Sequence, residues 1–177
     1  MRNIILLLFI STSIYGQQFM SKKGEIRFFS EAPIENIQAV NNQAMGIIDL
    51  KQGEFAFKVS IADFVFPNSL MQEHFNESYL ESDKYPYSTF TGKIEPLSNI
   101  NQENIIDVVG SLTIHGIQKA VKLQSSIQQT GDDIQISSEF EVVLNDFDID
   151  IPKIMMYKIA EVIQVSVTMN LQKIDNE

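Results

Sequence analysis

The sequence contains no cysteine, so no disulfide bond can stabilise the fold, and no cysteine is available as a nucleophile or for lipid attachment. Basic side chains are scarce: 13 Lys and Arg residues stand against 23 Asp and Glu residues, a net charge of −10. Such a surface repels phosphate backbones, so binding of nucleic acid is not expected. With 44% hydrophobic residues, the chain can still build a core without covalent cross-links.

Recognisable catalytic and metal-binding patterns are missing too. There is no Gly-x-Ser-x-Gly elbow and no Gly-rich phosphate loop. His74 and His115 are far apart in sequence, whereas a metal site needs three or four ligands at recognisable spacing. Asp146, Asp148 and Asp150 alternate, but the Gly and terminal Glu of a calcium loop are absent. We therefore expect a protein that is not an enzyme, with no metal or other cofactor and with both histidines hydrogen-bonded in structural roles.

An early apolar run covers residues 4–10, far fewer than the roughly 20 apolar residues that span a membrane as a helix. It follows Arg2 and precedes a small, polar segment over residues 11–16. This order is typical of a secretory signal peptide and predicts cleavage after Gly16 and export to the periplasm or the medium. Without residues 1–16 the chain carries 12 basic and 23 acidic side chains, a net charge of −11, and no stable membrane insertion is expected.

Residues 17–177 are expected to form one domain, built mainly of β-strands. Strands are predicted over residues 24–29, 43–50, 54–64, 87–94, 134–144 and 163–171, and apolar and polar side chains alternate with period two in the segments 54–64, 134–144 and 163–171. Residues 34–41 fit either a strand or a short helical turn. One apolar and one polar face in strand after strand indicates an antiparallel sheet with a single apolar side. Closing the sheet hides that side, so we expect an all-β, lipocalin-like antiparallel barrel of about eight strands.

One stretch, residues 67–84, breaks the alternation. Asn68 or Ser69 can cap a helix, and apolar side chains then follow at helical spacing from Leu70 to Phe75. A second short turn is expected over residues 77–81. We expect this helical insertion, placed between two strands, to lie across one end of the barrel.

Residues 109–123 read VGSLTIHGIQKAVKL, two alternating runs that meet at His115 and Gly116. Gly116 can adopt the positive φ that a tight reversal requires, so this stretch is predicted to be a hairpin. The sequence of this hairpin resembles the signature hairpin of the YceI-like polyisoprenoid-binding family. Further similarities follow the family's order: a helix histidine at residues 71–75, Tyr85-Pro86, and DFDIDIP over residues 146–152. Many members of the family carry Arg-Asp shortly before that histidine, where this chain has Met71-Gln72-Glu73.

The resemblance implies an apolar tunnel that encloses a long-chain isoprenoid lipid, of the quinone or polyprenyl type, in an exported soluble carrier or reservoir. Phenylalanine and methionine suit such a lining, because flat and flexible side chains adapt to a methyl-studded chain. The candidate ligand-binding residues are Phe57, Phe64, Phe66, Phe75, Tyr79, Phe90, Phe140 and Met169. For each of them a place in a packed core is the alternative.

Other readings of the same pattern stay open. The barrel could be filled by its own side chains and serve in interaction or stress protection without a lipid. An outer-membrane barrel would place the apolar face outward, and an enzyme acting on an isoprenoid would have only His74 and His115 as acid and base. A homodimer is compatible with the sequence.

Overall fold

The computed structural model describes residues 18–31, 36–95, 97, 100–151 and 159–174, so the predicted signal peptide lies outside it. Within these residues eight strands form a closed antiparallel barrel, in which each strand pairs with the next and the last pairs with the first. The strands are β1 Gln18–Ser30, β2 Ile37–Asp49, β3 Glu54–Ser60, β4 Tyr87–Lys93, β5 Asn104–Ile114, β6 Ile117–Thr130, β7 Asp133–Val143 and β8 Val162–Lys173. Closure leaves no unpaired sheet edge, and the predicted all-β barrel of eight strands is confirmed.

The inner face is apolar, as the alternation predicted. In β7 and β8 the buried side chains are Ile134, Ile136, Val142, Ile163, Met169 and Leu171. Their neighbours in sequence, such as Gln135 and Glu141, are exposed. Period-two patterning therefore identified both strands and the face that each turns inward.

β3 is shorter than predicted, because it ends at Ser60 rather than at residue 64. The Phe64 N–H donates to the Ile61 carbonyl oxygen at 3.3 Å, which closes a turn. Val65 then pairs with Val40 of β2, with N–O distances of 2.8 and 3.1 Å. The prediction was wrong here because apolar residues continue past Ser60 into the turn, at Ile61, Ala62 and Phe64. The segment that fitted either strand or helix is strand from Ile37, and residues 34 and 35 lie outside the description.

The helical insertion is present between β3 and β4. Helix α1, Ser69–His74, is capped by the Asn68 side chain, whose Oδ1 accepts from the Leu70 N–H at 2.9 Å. The helix continues without a break into a π-helical turn, Phe75–Tyr79. The second short turn predicted over residues 77–81 is thus present two residues earlier, as a π-helical turn continuous with α1. A π-helical turn inside a helix is rare and is frequently found at functional sites.

The order of the strands decides which connections meet. In an up-and-down barrel, alternate connections lie at the same end. The helical insertion after β3, the turn between β5 and β6, and the connection after β7 therefore share one end of the barrel with the connection after β1. We call this end the helix end. Among the residues described, no helix is long and apolar enough to span a bilayer.

Candidate functional site

A cavity of about 520 Å³ lies inside the barrel. Side chains from all eight strands and from the helical insertion line it. Its volume falls within the ~300–1,000 Å³ of pockets that hold small molecules. The lining includes Asn68, Leu70 and His74 of α1 and its cap, all of them exposed. The cavity therefore reaches the solvent beside α1.

All eight aromatic and methionine residues chosen from the sequence line this cavity. They come from β3, β4, β7, β8, the segment after β3 and the π-helical turn: Phe57, Phe64, Phe66, Phe75, Tyr79, Phe90, Phe140 and Met169. Their contact with a ligand stays a prediction. Sequence reasoning missed Phe28 and Phe55 and the aliphatic members of the wall, among them Val59, Val108 and Leu112. The shared face of Phe55, Phe57 and Val59 on β3 was the signal that would have found two of them.

One aromatic cluster joins the helical insertion to the strands. The Phe75 ring lies 4.9 Å from that of Phe66 and 5.6 Å from those of Phe28 and Phe64, measured between centroids. Such aromatic pairs stabilise by about 0.5–1.5 kcal/mol each beyond the area that they bury. The π-helical turn is thus anchored to β1 and to the segment after β3 through Phe75. The cluster forms the aromatic part of the cavity wall next to α1.

A second aromatic row lies entirely on strands. The ring centroid of Phe55 is 5.6 Å from that of Phe57 and 4.9 Å from that of Phe90. All three rings line the cavity. They follow one another across β3 and β4, since Phe57 and Phe90 are direct partners in the ladder.

The polar groups of the lining are mostly satisfied by the barrel itself. The hydroxyl of Ser88 donates to the Thr113 carbonyl oxygen and that of Ser138 to the Gln124 carbonyl oxygen, both at 2.7 Å. Burial raises the pKa of the Tyr79 phenol, so this hydroxyl stays protonated. A largely apolar wall therefore faces the cavity, despite the acidity of the whole chain.

Charge is nearly absent from the lining. No carboxylate of the described residues lines the cavity, and Lys58 and His74 are its basic members. The Lys58 ammonium lies 3.5 Å from the centroid of the half-exposed Tyr87 ring, a cation–π contact outside the hydrocarbon-like interior. The interior is therefore suited to an uncharged hydrocarbon chain of a ligand. At the open end beside α1, Asn68 and His74 supply polar groups.

The two histidines are separated. His115 Nε2 lies 2.7 Å from Glu81 Oε2 and its Nδ1 lies 3.2 Å from the Phe147 carbonyl oxygen. This hydrogen-bonded structural role was predicted. His74 lines the cavity, and its imidazole has no hydrogen-bond partner among the described residues, so the hydrogen-bonded role predicted for both histidines is found at His115 and not at His74. Within the same residues, no group of three or more His, Asp or Glu side chains is placed to bind a metal ion.

The sequence model of the YceI-like domain matches residues 13–171. The chain belongs to the YceI-like family. No curated protein is detectably similar in sequence. The YceI-like fold recurs in a polyisoprenoid-binding domain from Saccharophagus degradans implicated in plant cell wall breakdown, with a TM-score of 0.79 at 13% identity over 90% of this chain and 100% of that one.

Two further structures share this YceI-like fold. Burkholderia cenocepacia BcnA matches with a TM-score of 0.73 and 15% identity, over 85% of this chain and 96% of its own. The Campylobacter jejuni YceI protein matches with a TM-score of 0.57 and 18% identity, over 99% and 100%. At such identities the similarity establishes the fold alone.

Proposed function

We propose that this protein binds a long-chain polyisoprenoid lipid, of the quinone or polyprenyl type, inside the barrel and serves as its carrier or reservoir. The observation that carries the proposal is the apolar cavity of about 520 Å³, which opens beside α1 and has no carboxylate in its described lining. The Saccharophagus degradans domain of the same fold is named for polyisoprenoid binding, which supports this class of ligand. The alternative was a barrel filled by its own side chains, and the open cavity inside this barrel does not support it.

The energetics favour a hydrocarbon chain. Burial of a CH₂ group contributes about 0.8 kcal/mol, so a few isoprene units can be held without specific polar contacts. Measured affinities are lower than such sums, nearer 0.3 kcal/mol per atom for drug-sized ligands, and a long tail still reaches micromolar binding. Asn68 and His74 line the cavity and are exposed at its open end, which supports contact of the Asn68 amide and the His74 imidazole with a polar head group there.

The proposal is one of binding rather than catalysis. The two histidines considered as acid and base are not brought together at the cavity, because His74 lines it and His115 does not. Export through a signal peptide over residues 1–16, with a mature protein in the periplasm or the medium, completes the proposal. No cofactor besides the lipid is required, and a homodimer remains compatible with it.

The decisive experiment is solvent extraction and mass spectrometry of protein purified without detergent from its native envelope. A stoichiometric isoprenoid would support the proposal and name the ligand. Lipid-free protein that also takes up no isoprenoid offered back would contradict it. A matched pair of variants on β5 controls for surface adsorption: Val108 lines the cavity, whereas its neighbour Val109 is 55% exposed. Val108→Trp should abolish the bound lipid and Val109→Trp should retain it.

A further inference from the structure

Several glycines of the barrel have an aromatic ring in the space that their own side chain would occupy. Gly46 of β2 pairs directly with Phe57 of β3, and a Cβ on Gly46 would stand 2.5 Å from Phe57 Cε1. Gly92 of β4 pairs with Phe55, whose Cζ would be 2.7 Å from an added Cβ. Real Cβ atoms do not approach other atoms so closely. The two rings therefore depend on the absence of a side chain opposite them.

A third ring extends the same arrangement. A Cβ on Gly110 of β5 would lie 2.6 Å from Phe90 Cε2. Phe90 reaches it diagonally, because its direct partner in the β4–β5 ladder is Leu112. In each of the three successive strand pairs from β2 to β5, one ring of the second aromatic row thus packs against a glycine of the neighbouring strand. Aromatic side chains that cover a glycine on a neighbouring strand are a known way to pack a curved sheet.

We propose that Gly46, Gly92 and Gly110 set the width of the cavity, and thereby its acceptance of methyl-branched chains. This inference rests on the proposed lipid-binding function. Each ring lines the cavity and occupies space next to the strand that a β-carbon would otherwise fill. A side chain at the glycine displaces the ring from that strand and narrows the lumen. A branched chain is wider than a straight one, so it is excluded first.

At Gly46 the effect of an added side chain on the width of the cavity can be tested without damage to the sheet. At Gly92 an added Cβ would also lie 2.7 Å from Gly110 Cα, and at Gly110 it would lie 2.6 Å from the Thr91 carbonyl oxygen. At both positions the close atoms include backbone atoms of a paired strand, which cannot shift to make room for the added Cβ. At Gly46 the nearest atoms belong to side chains alone, the Phe57 ring and, at 3.1 Å, the sulfur of Met169. Gly46→Ala therefore displaces a ring rather than a strand.

The test compares two alcohols with backbones of the same length, the methyl-branched phytol and the straight-chain hexadecanol. Their affinities are measured for the wild type, Gly46→Ala, and Gly46→Ala combined with Phe57→Leu. We expect Gly46→Ala to weaken phytol about tenfold more than hexadecanol, and the smaller leucine to restore phytol binding. Gly131→Asn is the control, because an added Cβ there meets nothing within 4 Å and asparagine tolerates its positive φ.

The outcomes separate the two proposals. A wild type that binds neither alcohol contradicts the lipid-binding function, whereas equal losses for both alcohols in Gly46→Ala overturn only the role of the glycines. A crystal structure of ligand-free Gly46→Ala gives a readout independent of binding. A displaced Phe57 ring and a cavity smaller than about 520 Å³ are expected, and an unchanged cavity would contradict the inference.

Discussion

His115 and Glu81 are joined by a hydrogen bond of 2.7 Å between Nε2 and Oε2, although 34 residues separate them in sequence. His115 belongs to the turn between β5 and β6, and Glu81 to the connection that carries the helical insertion. The other ring nitrogen faces the carbonyl oxygen of Phe147, in the connection after β7. Tyr85 packs edge-on against the imidazole, with 4.6 Å between centroids. One side chain thus ties together three connections at the helix end.

Replacement of His115 by alanine is expected to lower the free energy of unfolding by about 1–3 kcal/mol, since its two hydrogen-bonding partners lose their contacts. Urea unfolding of His115→Ala, Glu81→Ala and the double variant measures the coupling between the two side chains. We expect a coupling of about 0.5–3 kcal/mol. Strictly additive losses would show that the hydrogen bond does not stabilise the barrel.

At Gly116 the cost of a positive φ and the cost of a clash with Tyr85 can be separated by comparison with Gly131. Gly116 and Gly131 both have positive φ, 75° and 65°, but only at Gly116 would a Cβ meet a neighbour, Tyr85 Cε1 at 2.5 Å. Gly131→Ala should cost about 1–2 kcal/mol, the conformational penalty alone. Gly116→Ala should cost more, because the tyrosine must move as well. Thermal unfolding of the two variants measures the difference, and equal costs would contradict the Tyr85 contact.

Asp49 predicts a dependence of stability on pH. Its carboxylate accepts hydrogen bonds from the N–H groups of Lys51 and Gln52 and from the Gln18 side chain, at 2.9–3.2 Å. Burial raises the pKa of this carboxyl, but the hydrogen bonds outweigh that effect and hold the pKa below its ordinary value. A depressed pKa in the folded state means that the carboxylate stabilises the fold above its unfolded pKa. That contribution is lost as the pH falls through the folded pKa.

Urea unfolding of the wild type and Asp49→Asn, from about pH 6 to about pH 2, tests this. The variant should be less stable at the upper end of this range, and the difference should shrink toward the lower end. A difference that is independent of pH would contradict a role for the ionised carboxylate.

Phe75 should be among the costliest side chains of the helical insertion to lose. Its ring contacts three other phenylalanines, and truncation of a buried phenylalanine typically costs about 3–5 kcal/mol. Phe75 is only partly buried, so Phe75→Ala is expected near the lower figure, with faster amide exchange in α1. Leu70→Ala is the control on the same helix, since Leu70 is 55% exposed and should cost less than about 0.5 kcal/mol. Similar losses for both variants would contradict the anchoring role of Phe75.

Much of the candidate site could be predicted because it depends on local alternation. Phe57 and Phe90 lie on inward faces that a period of two reveals, and both line the cavity. Phe64, which falls inside the predicted strand, lines it too, but from the turn beyond Ser60, where β3 ends. The turn there is held by Val65 pairing with Val40, a contact between distant segments that no local pattern shows.

The sequence by itself determined that the chain is built of strands with one inward face, and it located the hairpin at His115 and Gly116 and the helical insertion. It did not determine where β3 ends. Alternation, helix capping and turn geometry are properties of neighbouring residues, so they can be read from the order of the amino acids. Tertiary structure alone decided that Gly46 stands opposite Phe57, that His115 meets Glu81, and that the interior stays open. Those facts depend on strand register and barrel closure, which bring together residues that are far apart in the chain.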